Sequence, residues 1–414
     1  MRLRGREHII VLAFLNVVLF FSSEILAAQE IDLNVETSVK VREKPSDSYL
    51  QFIPEGFSED RLWPVVFVFD PVGNGKNGLE PFKESASLFG YIIVASNSAR
   101  NGLHEENFGI AERLVNQVMQ DLPIDPSRMY VAGFSGGSRL ASAIAVLSKQ
   151  FVGVIGCGSG FSPNTSEKPN FESFSYAGVV GNLDMNYSEM YKNQSWLDKF
   201  NVSNELFVFK GGHQWPPTEL LKSVFSWLEK EAQRQGLNNN YLKQQRFIQQ
   251  REIKEFNALV EQEHFLLAKK SQDRIIKNYM VDFPSGMIDA AMGEKELKKS
   301  IRKEREILEE ELSEIIAIND SYFEHVKDKP KRQLKFWKKK IHKLKKLSAS
   351  EDPLEVQHAT RLLRHIQALA YEAGIGYGQS KIDKEKALFS VQLLLEIQPE
   401  NQRYQTWYQQ LKEE

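Results

Sequence analysis

The chain has 414 residues, of which 42% are hydrophobic and 26% are charged, and its formal net charge is −2. This length is large for one domain and accommodates two, and the composition is that of an ordinary globular protein. The near-neutral charge gives no basis for a nucleic-acid partner, so the sequence predicts none.

The first residues have the features of a secretory signal peptide. Three arginines precede an apolar run over residues 9–21, and Ala27 and Ala28 offer a small-residue cleavage site. The sequence therefore predicts removal of residues 1–28 and export to a bacterial periplasm or the extracellular space. The alternative is an uncleaved membrane anchor, although the run is short for a transmembrane helix. The one cysteine, Cys157, cannot form an internal disulfide.

Strands and helices alternate over the predicted first domain, residues 29–235. Residues 31–53 predict two antiparallel edge strands. Short apolar runs then predict buried parallel strands at 65–69, 91–95, 129–132, 152–155, 177–180 and 205–209. Helical patterns lie between or after them at 110–121, 140–147 and 219–234. This alternation predicts an α/β fold with a doubly wound, mostly parallel sheet.

A linker at residues 235–240 separates this domain from a predicted all-helical domain, residues 236–414. One amphipathic face there is formed by Leu297, Ile301, Leu308, Leu312 and Ile315. The acidic run 309–311 and the lysine-rich segment 338–346 predict an antiparallel helix pair whose opposite charges face each other or water. The alternative interpretation of the basic segment is a site for an anionic surface.

The C-terminal residues weakly resemble a tetratricopeptide repeat over residues 360–412. Ala387, Val391, Leu394 and Pro399 have the spacing of its second helix. The sequence predicts that Gly374, Gly376 and Gly378 interrupt the first helix. No second copy of the repeat is evident.

The most informative local pattern is a serine between glycines, at the junction of a predicted strand and a predicted helix. The segment is Gly133–Phe134–Ser135–Gly136–Gly137. Small neighbours let the strand and helix cross closely, which leaves the serine hydroxyl exposed on a sharp turn. Ser135 is the predicted nucleophile, and the N–H of Gly136 at the helix start is a predicted oxyanion donor.

The order nucleophile, acid, histidine identifies the partners of Ser135. Among the eight histidines only His104 and His213 lie in the mature first domain, and only His213 follows Ser135. His213 stands directly after the last strand, where a general base is expected. The acid candidates before it are Glu167, Glu172, Asp184, Glu189, Asp198 and Glu205. Asp184 is preferred because it follows the strand at 177–180 immediately, whereas Asp198 falls in a predicted surface helix.

An oxyanion hole needs a second N–H, expected from the loop after the strand at 65–69. Pro71 in that loop has no N–H, so Val72 is the predicted donor and Gly73 the second choice. This chemistry requires neither a metal nor a cofactor, and the sequence predicts none.

Residues 124–137, around Ser135, and residues 211–216, around His213, resemble the nucleophile and histidine loops of α/β-hydrolase esterases related to feruloyl esterases and polyhydroxyalkanoate depolymerases. They resemble still more closely exported Bacteroidota α/β-hydrolase-like proteins with a helical, sometimes tetratricopeptide-like extension. The resemblance covers residues 60–230 and implies the roles given above to Ser135, Asp184 and His213. Two positions depart from the esterases. Asp70 and Pro71 replace His–Gly, placing a carboxylate near the oxyanion hole, and Ser138 replaces a glycine.

Together these features predict a serine esterase that cleaves a small-molecule or polymer-linked carboxylic ester through an acyl-enzyme. No long insertion separates the strands, so the sequence predicts an open site without a lid. One alternative is a serine peptidase of the prolyl-oligopeptidase type. The other is a non-catalytic binding or assembly protein with a relic hydrolase domain, in which the helical domain contacts a protein partner or the envelope.

Overall fold

An eight-stranded sheet organises the first half of the protein in the computed structural model. The structure describes residues 32–161, 174–237, 242–261, 265–279, 294–327, 330–378 and 383–413. The strands β1 to β8 are Glu36–Lys40, Ser48–Phe52, Trp63–Phe69, Ile92–Ser96, Ile124–Phe134, Gly153–Cys157, Ser175–Gly181 and Ser203–Phe209. Their order across the sheet is β1-β2-β4-β3-β5-β6-β7-β8. The predicted signal peptide lies outside the described residues.

The sheet is mostly parallel, as the sequence predicted. Strands β3 to β8 pair in parallel, while β1 and β2 form an antiparallel edge. Strands β3, β4, β6 and β7 are buried along their whole length, which explains why they appear in the sequence as continuous apolar runs. Because parallel strands end at the same edge, the loops after β3, β5, β7 and β8 lie close together there.

Helices cover both faces of this sheet. They are α1 to α6: Gly75–Leu79, Lys83–Phe89, His104–Asp121, Gly136–Ser148, Tyr187–Asp198 and Thr218–Arg234. One apolar cluster packs α3 and α4 against one face, and a second packs α2 and α6 against the other. The predicted helices at 110–121, 140–147 and 219–234 fall within α3, α4 and α6. The α/β fold class is therefore confirmed.

Beyond residue 237 every described element is a helix. These are α7 to α13: Leu242–Glu261, Phe265–Tyr279, Glu294–Lys327, Pro330–Leu347, Pro353–Gly378, Lys384–Ile397 and Gln402–Glu413. None of the helices in the described ranges is both long and apolar enough to cross a bilayer. The domain boundary at residue 235 and the tetratricopeptide repeat stay predictions.

One expectation for the helical half is wrong, and another holds in part. Helix α11 continues through Gly374 and Gly376 and ends at Gly378, so the glycines do not interrupt it. The ring of Trp407 lies so close to Gly374 that a side chain there would collide with it. In the acidic run, Glu309 and Glu310 are exposed to water as expected, but Glu311 is completely buried and bonds to α11.

The helical half packs directly on the α/β half. Leu308 of α9 joins an apolar cluster with Tyr187 and Met190 of α5 and with β7 and β8 residues. A second cluster brings helices α7, α8 and α9 to Phe89 of α2. Burial of apolar side chains on both sides stabilises this contact by roughly 25 cal/mol per Å² removed from water.

Candidate active site

The turn between β5 and α4 holds Ser135 in a strained conformation. Its φ is +53° and its ψ is −119°, a region that residues with a side chain rarely adopt. The backbones cross so closely that a Cβ on Gly137 would lie 2.0 Å from the Phe69 carbonyl oxygen. A Cβ on Gly133 would lie 2.2 Å from the Gly137 carbonyl oxygen. Gly133 and Gly137 are therefore required at this turn, because a side chain at either position would collide with the neighbouring backbone.

The loop after β8 brings His213 to this serine. The distance from His213 Nε2 to Ser135 Oγ is 2.8 Å, within hydrogen-bond range. The ring of Phe134 lies 4.6 Å, centroid to centroid, from the imidazole and limits its rotation. A base in this position can accept the proton of the serine hydroxyl.

The loop after β7 brings Asp184 to the other imidazole nitrogen. Both carboxylate oxygens lie 3.0 Å from His213 Nδ1, and Oδ1 also accepts the Asn186 N–H at 2.9 Å. The Asp184 side chain is fully buried. An acceptor-only group at Nδ1 places the ring proton there and leaves the Nε2 lone pair for Ser135.

The other acid candidates have different partners. Glu189 bonds to Arg139 at 2.8 Å and Asp198 to Asn204 at 2.8 Å, while Glu205 lies 3.6 Å from Lys277. Glu167 and Glu172 lie outside the described residues. Of the six, Asp184 is the one hydrogen-bonded to His213 among the residues described.

The predicted second oxyanion donor does not fit the structure. The Val72 N–H donates to Asp70 Oδ1 at 2.9 Å, and the Gly73 N–H donates to the Asp70 carbonyl at 3.1 Å. Both N–H groups are therefore already used. The local sequence could have revealed this, because an Asp side chain often accepts the N–H two residues on.

The carboxylate that replaces the usual histidine is held by three N–H donors. Asp70 is buried and accepts the N–H groups of Val72 and Asn74 and the indole N–H of Trp215, the last at 3.1 Å. These hydrogen bonds partly balance the carboxylate charge and hold the side chain in one orientation. Ser138, the second departure, is also accommodated, because its hydroxyl donates to the Ser159 carbonyl at 2.6 Å.

Asn101, which no sequence pattern singled out, lies against Gly136, the predicted oxyanion donor. A Cβ on Gly136 would lie 1.9 Å from Asn101 Oδ1, so the amide rests directly against the first residue of α4. The side-chain amide has no hydrogen-bond partner within the described part of the chain, while its backbone N–H donates to Pro71. An amide side chain such as that of Asn101 turns its oxygen or its NH2 group toward a neighbour according to the hydrogen bonds it can form there.

A cavity of about 570 Å³ opens at Ser135, in the size range of small-molecule sites. Its floor includes Ser135, Asn101 and Arg139. Its other side is formed by the helical half, and we call this side the cap face: Asn319, Phe323, His365, Ala368, Leu369 and Glu372. Residues distant in sequence therefore border the cavity, a contribution that the spacing of the strands did not predict.

The cap face is polar as well as apolar. His365 is hydrogen-bonded to Asn319 at 2.9 Å, and burial lowers the pKa of its imidazole. Within the described residues, no group of three or more His, Cys, Asp and Glu side chains is placed to hold a metal ion.

No protein-family model and no curated protein matches this sequence. Its fold is similar to that of S-formylglutathione hydrolase from Staphylococcus aureus, at 12% identity over 47% of this chain and 96% of that one, with a TM-score of 0.40. Est1E from Butyrivibrio proteoclasticus is 11% identical over 47% and 98%, with a TM-score of 0.37. A ferulic acid esterase is 17% identical over 46% and 93%, with a TM-score of 0.36. Each of these likenesses covers less than half of this chain.

Proposed function

We propose that the protein is a serine hydrolase that cleaves carboxylic esters through an acyl-enzyme. The observation that carries this proposal is the continuous chain of contacts from Ser135 to His213 to Asp184, at 2.8 and 3.0 Å. Each of the three residues lies at the carboxyl end of a different parallel strand, in the chain order of an α/β-hydrolase triad.

In the first half-reaction Ser135 Oγ attacks the ester carbonyl carbon as its proton passes to His213 Nε2. The C–O bond to the alcohol then breaks, and His213 returns the proton to the leaving oxygen. Water then attacks the acyl-enzyme with the same proton transfers through His213, which releases the carboxylic acid and regenerates Ser135. Asp184 stabilises the imidazolium that forms at each addition step.

The tetrahedral oxyanion is stabilised on the side of Gly136. Gly136 begins α4, so its N–H has no carbonyl within the helix to bond. The amide of Asn101, turned with its NH2 group to the cavity, supplies the second donor in place of Val72. Loss of one such donor typically costs about 2.7–4 kcal/mol in the transition state.

One observation supports a serine peptidase as the second candidate. Peptidases of the prolyl-oligopeptidase type carry a cap over the active site, and here the cap face forms one side of the cavity. Hydrolysis of a dipeptide p-nitroanilide without turnover of p-nitrophenyl esters would favour it. A relic hydrolase domain would be favoured if the Asp70 carboxylate opposed the oxyanion, but this carboxylate accepts three N–H groups, which partly balance its charge.

Labelling with a fluorophosphonate probe tests the nucleophile. Wild-type protein should be labelled once per chain, and Ser135→Ala and His213→Ala should not. Ser148→Ala, which changes an exposed serine at the end of the same helix, is the matched control and should be labelled normally. Absence of labelling in folded wild type would overturn the hydrolase proposal.

We also propose that the mature protein acts outside the cytoplasm, either in the periplasm or in the medium. The support is the basic and apolar pattern of residues 1–28. Fractionation of cells that express the full chain, with mass measurement of the mature N-terminus, distinguishes a cleaved leader from the alternative anchor. A full-length chain found only in the cytoplasm would contradict export.

A further inference from the structure

The loop that carries the acid is hydrogen-bonded on two sides. The N–H groups of Asn182 and Leu183 donate to the carbonyls of Phe209 and Gly211, each at 2.8 Å. Those acceptors lie at the start of the histidine loop, so the two loops are joined to each other. The carbonyls of Asn182 and Leu183 point the other way, toward α11 of the helical half.

Two arginines of α11 donate to these carbonyls. Arg361 Nη1 lies 3.0 Å from the Asn182 oxygen, and Arg364 Nη1 lies 2.8 Å from the Leu183 oxygen. Bonds from a charged donor are roughly twice as strong as those between neutral groups. The two residues that immediately precede Asp184 are thus fixed by the helical half.

Arg361 is itself held rigidly. It is buried, and its guanidinium bonds to the fully buried carboxylate of Glu311 at 2.7–2.9 Å. Although burial opposes ionisation, bonds from His358 and Arg361 hold the pKa of Glu311 below its ordinary value. The guanidinium also stacks 4.6 Å above the ring of Tyr187, the first residue of α5.

Arg364 touches the histidine loop as well as the acid loop. A Cβ on Gly212 would lie 1.9 Å from Arg364 Nη1, so the guanidinium occupies the space beside the residue that precedes His213. One side chain of the helical half therefore lies against the loops of both the general base and its acid.

We propose that Arg361 and Arg364 are positioning residues of the active site, and that the helical half sets the distance between Asp184 and His213. This inference rests on the proposed function, because it concerns the same triad. An error of about 1 Å in such a contact can lower a rate by about 10²-fold. The helical half is then required for turnover and does more than bind a partner.

Arg364→Gln is the decisive variant. Arg364 is only half-buried, so its loss threatens the fold less than loss of the buried Arg361. We expect kcat for p-nitrophenyl acetate to fall by about 10–100-fold while KM changes by less than about threefold. Arg364→Lys keeps one charged donor and should recover most of kcat. Arg302→Gln removes an exposed arginine that pairs with Glu306 and should match wild type.

Titration of active sites with the fluorophosphonate probe separates positioning from folding. A structural defect would lower the number of labelled sites, whereas a positioning defect leaves one site per chain and lowers the rate constant of labelling. Unchanged kcat in folded Arg364→Gln, or loss explained by fewer sites alone, overturns the inference. Absence of labelling in wild type would instead overturn the proposed function.

Discussion

Replacing Asp184 by asparagine tests the proton arrangement of the proposed triad. The substitution keeps the side-chain shape, and its oxygen can still accept the Asn186 N–H now bonded at 2.9 Å. The new NH2 group then stands where Oδ2 lies, 3.0 Å from His213 Nδ1. An NH2 group facing Nδ1 repels a ring N–H there and can donate to a bare Nδ1, so the tautomer with its proton at Nε2 is favoured.

That proton would point at Ser135 Oγ, 2.8 Å away, where a lone pair is needed. The base can then no longer accept the serine proton. In serine proteases the corresponding change lowers kcat by about 10⁴-fold with the geometry intact. Four factors of ten correspond to about 5 kcal/mol of transition-state stabilisation.

Initial rates with p-nitrophenyl acetate, together with thermal unfolding, measure this effect. Asp198→Asn is the matched control, because Asp198 bonds to Asn204 away from the site and the change should leave kcat unaltered. A loss smaller than about tenfold in a folded Asp184→Asn protein would refute the role assigned to Asp184.

Substitutions at Asn101, Ala368 and Glu229 each change one defined contact. Asn101→Ala should lower kcat about 10²–10³-fold with little change in KM, since it removes one oxyanion donor. Ala368→Phe should raise KM for long acyl esters more than for acetate, because it narrows the cavity from the cap face. Glu229→Ala leaves the buried guanidinium of Arg128 without its carboxylate and should lower the free energy of unfolding by about 3–5 kcal/mol in denaturant titrations.

A single result would contradict each of these three predictions. Full activity of Asn101→Ala, compared with the exposed control Asn77→Ala, would remove Asn101 from the oxyanion hole. Equal KM changes for short and long esters would show that Ala368 does not border the acyl path. A stability loss in Glu229→Ala no larger than that of the surface control Glu112→Ala would contradict the importance of the buried pair.

Much of the α/β half was predictable because its signals are local. Each strand is a short apolar run, and the sharp turn at Ser135 needs glycines that are adjacent in the sequence. His213 and Asp184 could be selected because the parallel order of strands brings their loops to one edge of the sheet. The Val72 error was also local, since the side chain two residues before it takes the N–H.

The sequence by itself determined most strands and the longer helices of the α/β half, though not α1 and α2, and it selected the three residues of the proposed triad. Only the tertiary structure decided what borders the cavity at that triad and what holds its acid. Arg361 and Arg364 bond to carbonyls 179 and 181 residues earlier in the chain. No periodicity or motif encodes such contacts, because they depend on how helix α11 packs across the edge of the sheet. That packing is driven by apolar burial, which is not directional and so cannot be read from a local sequence pattern.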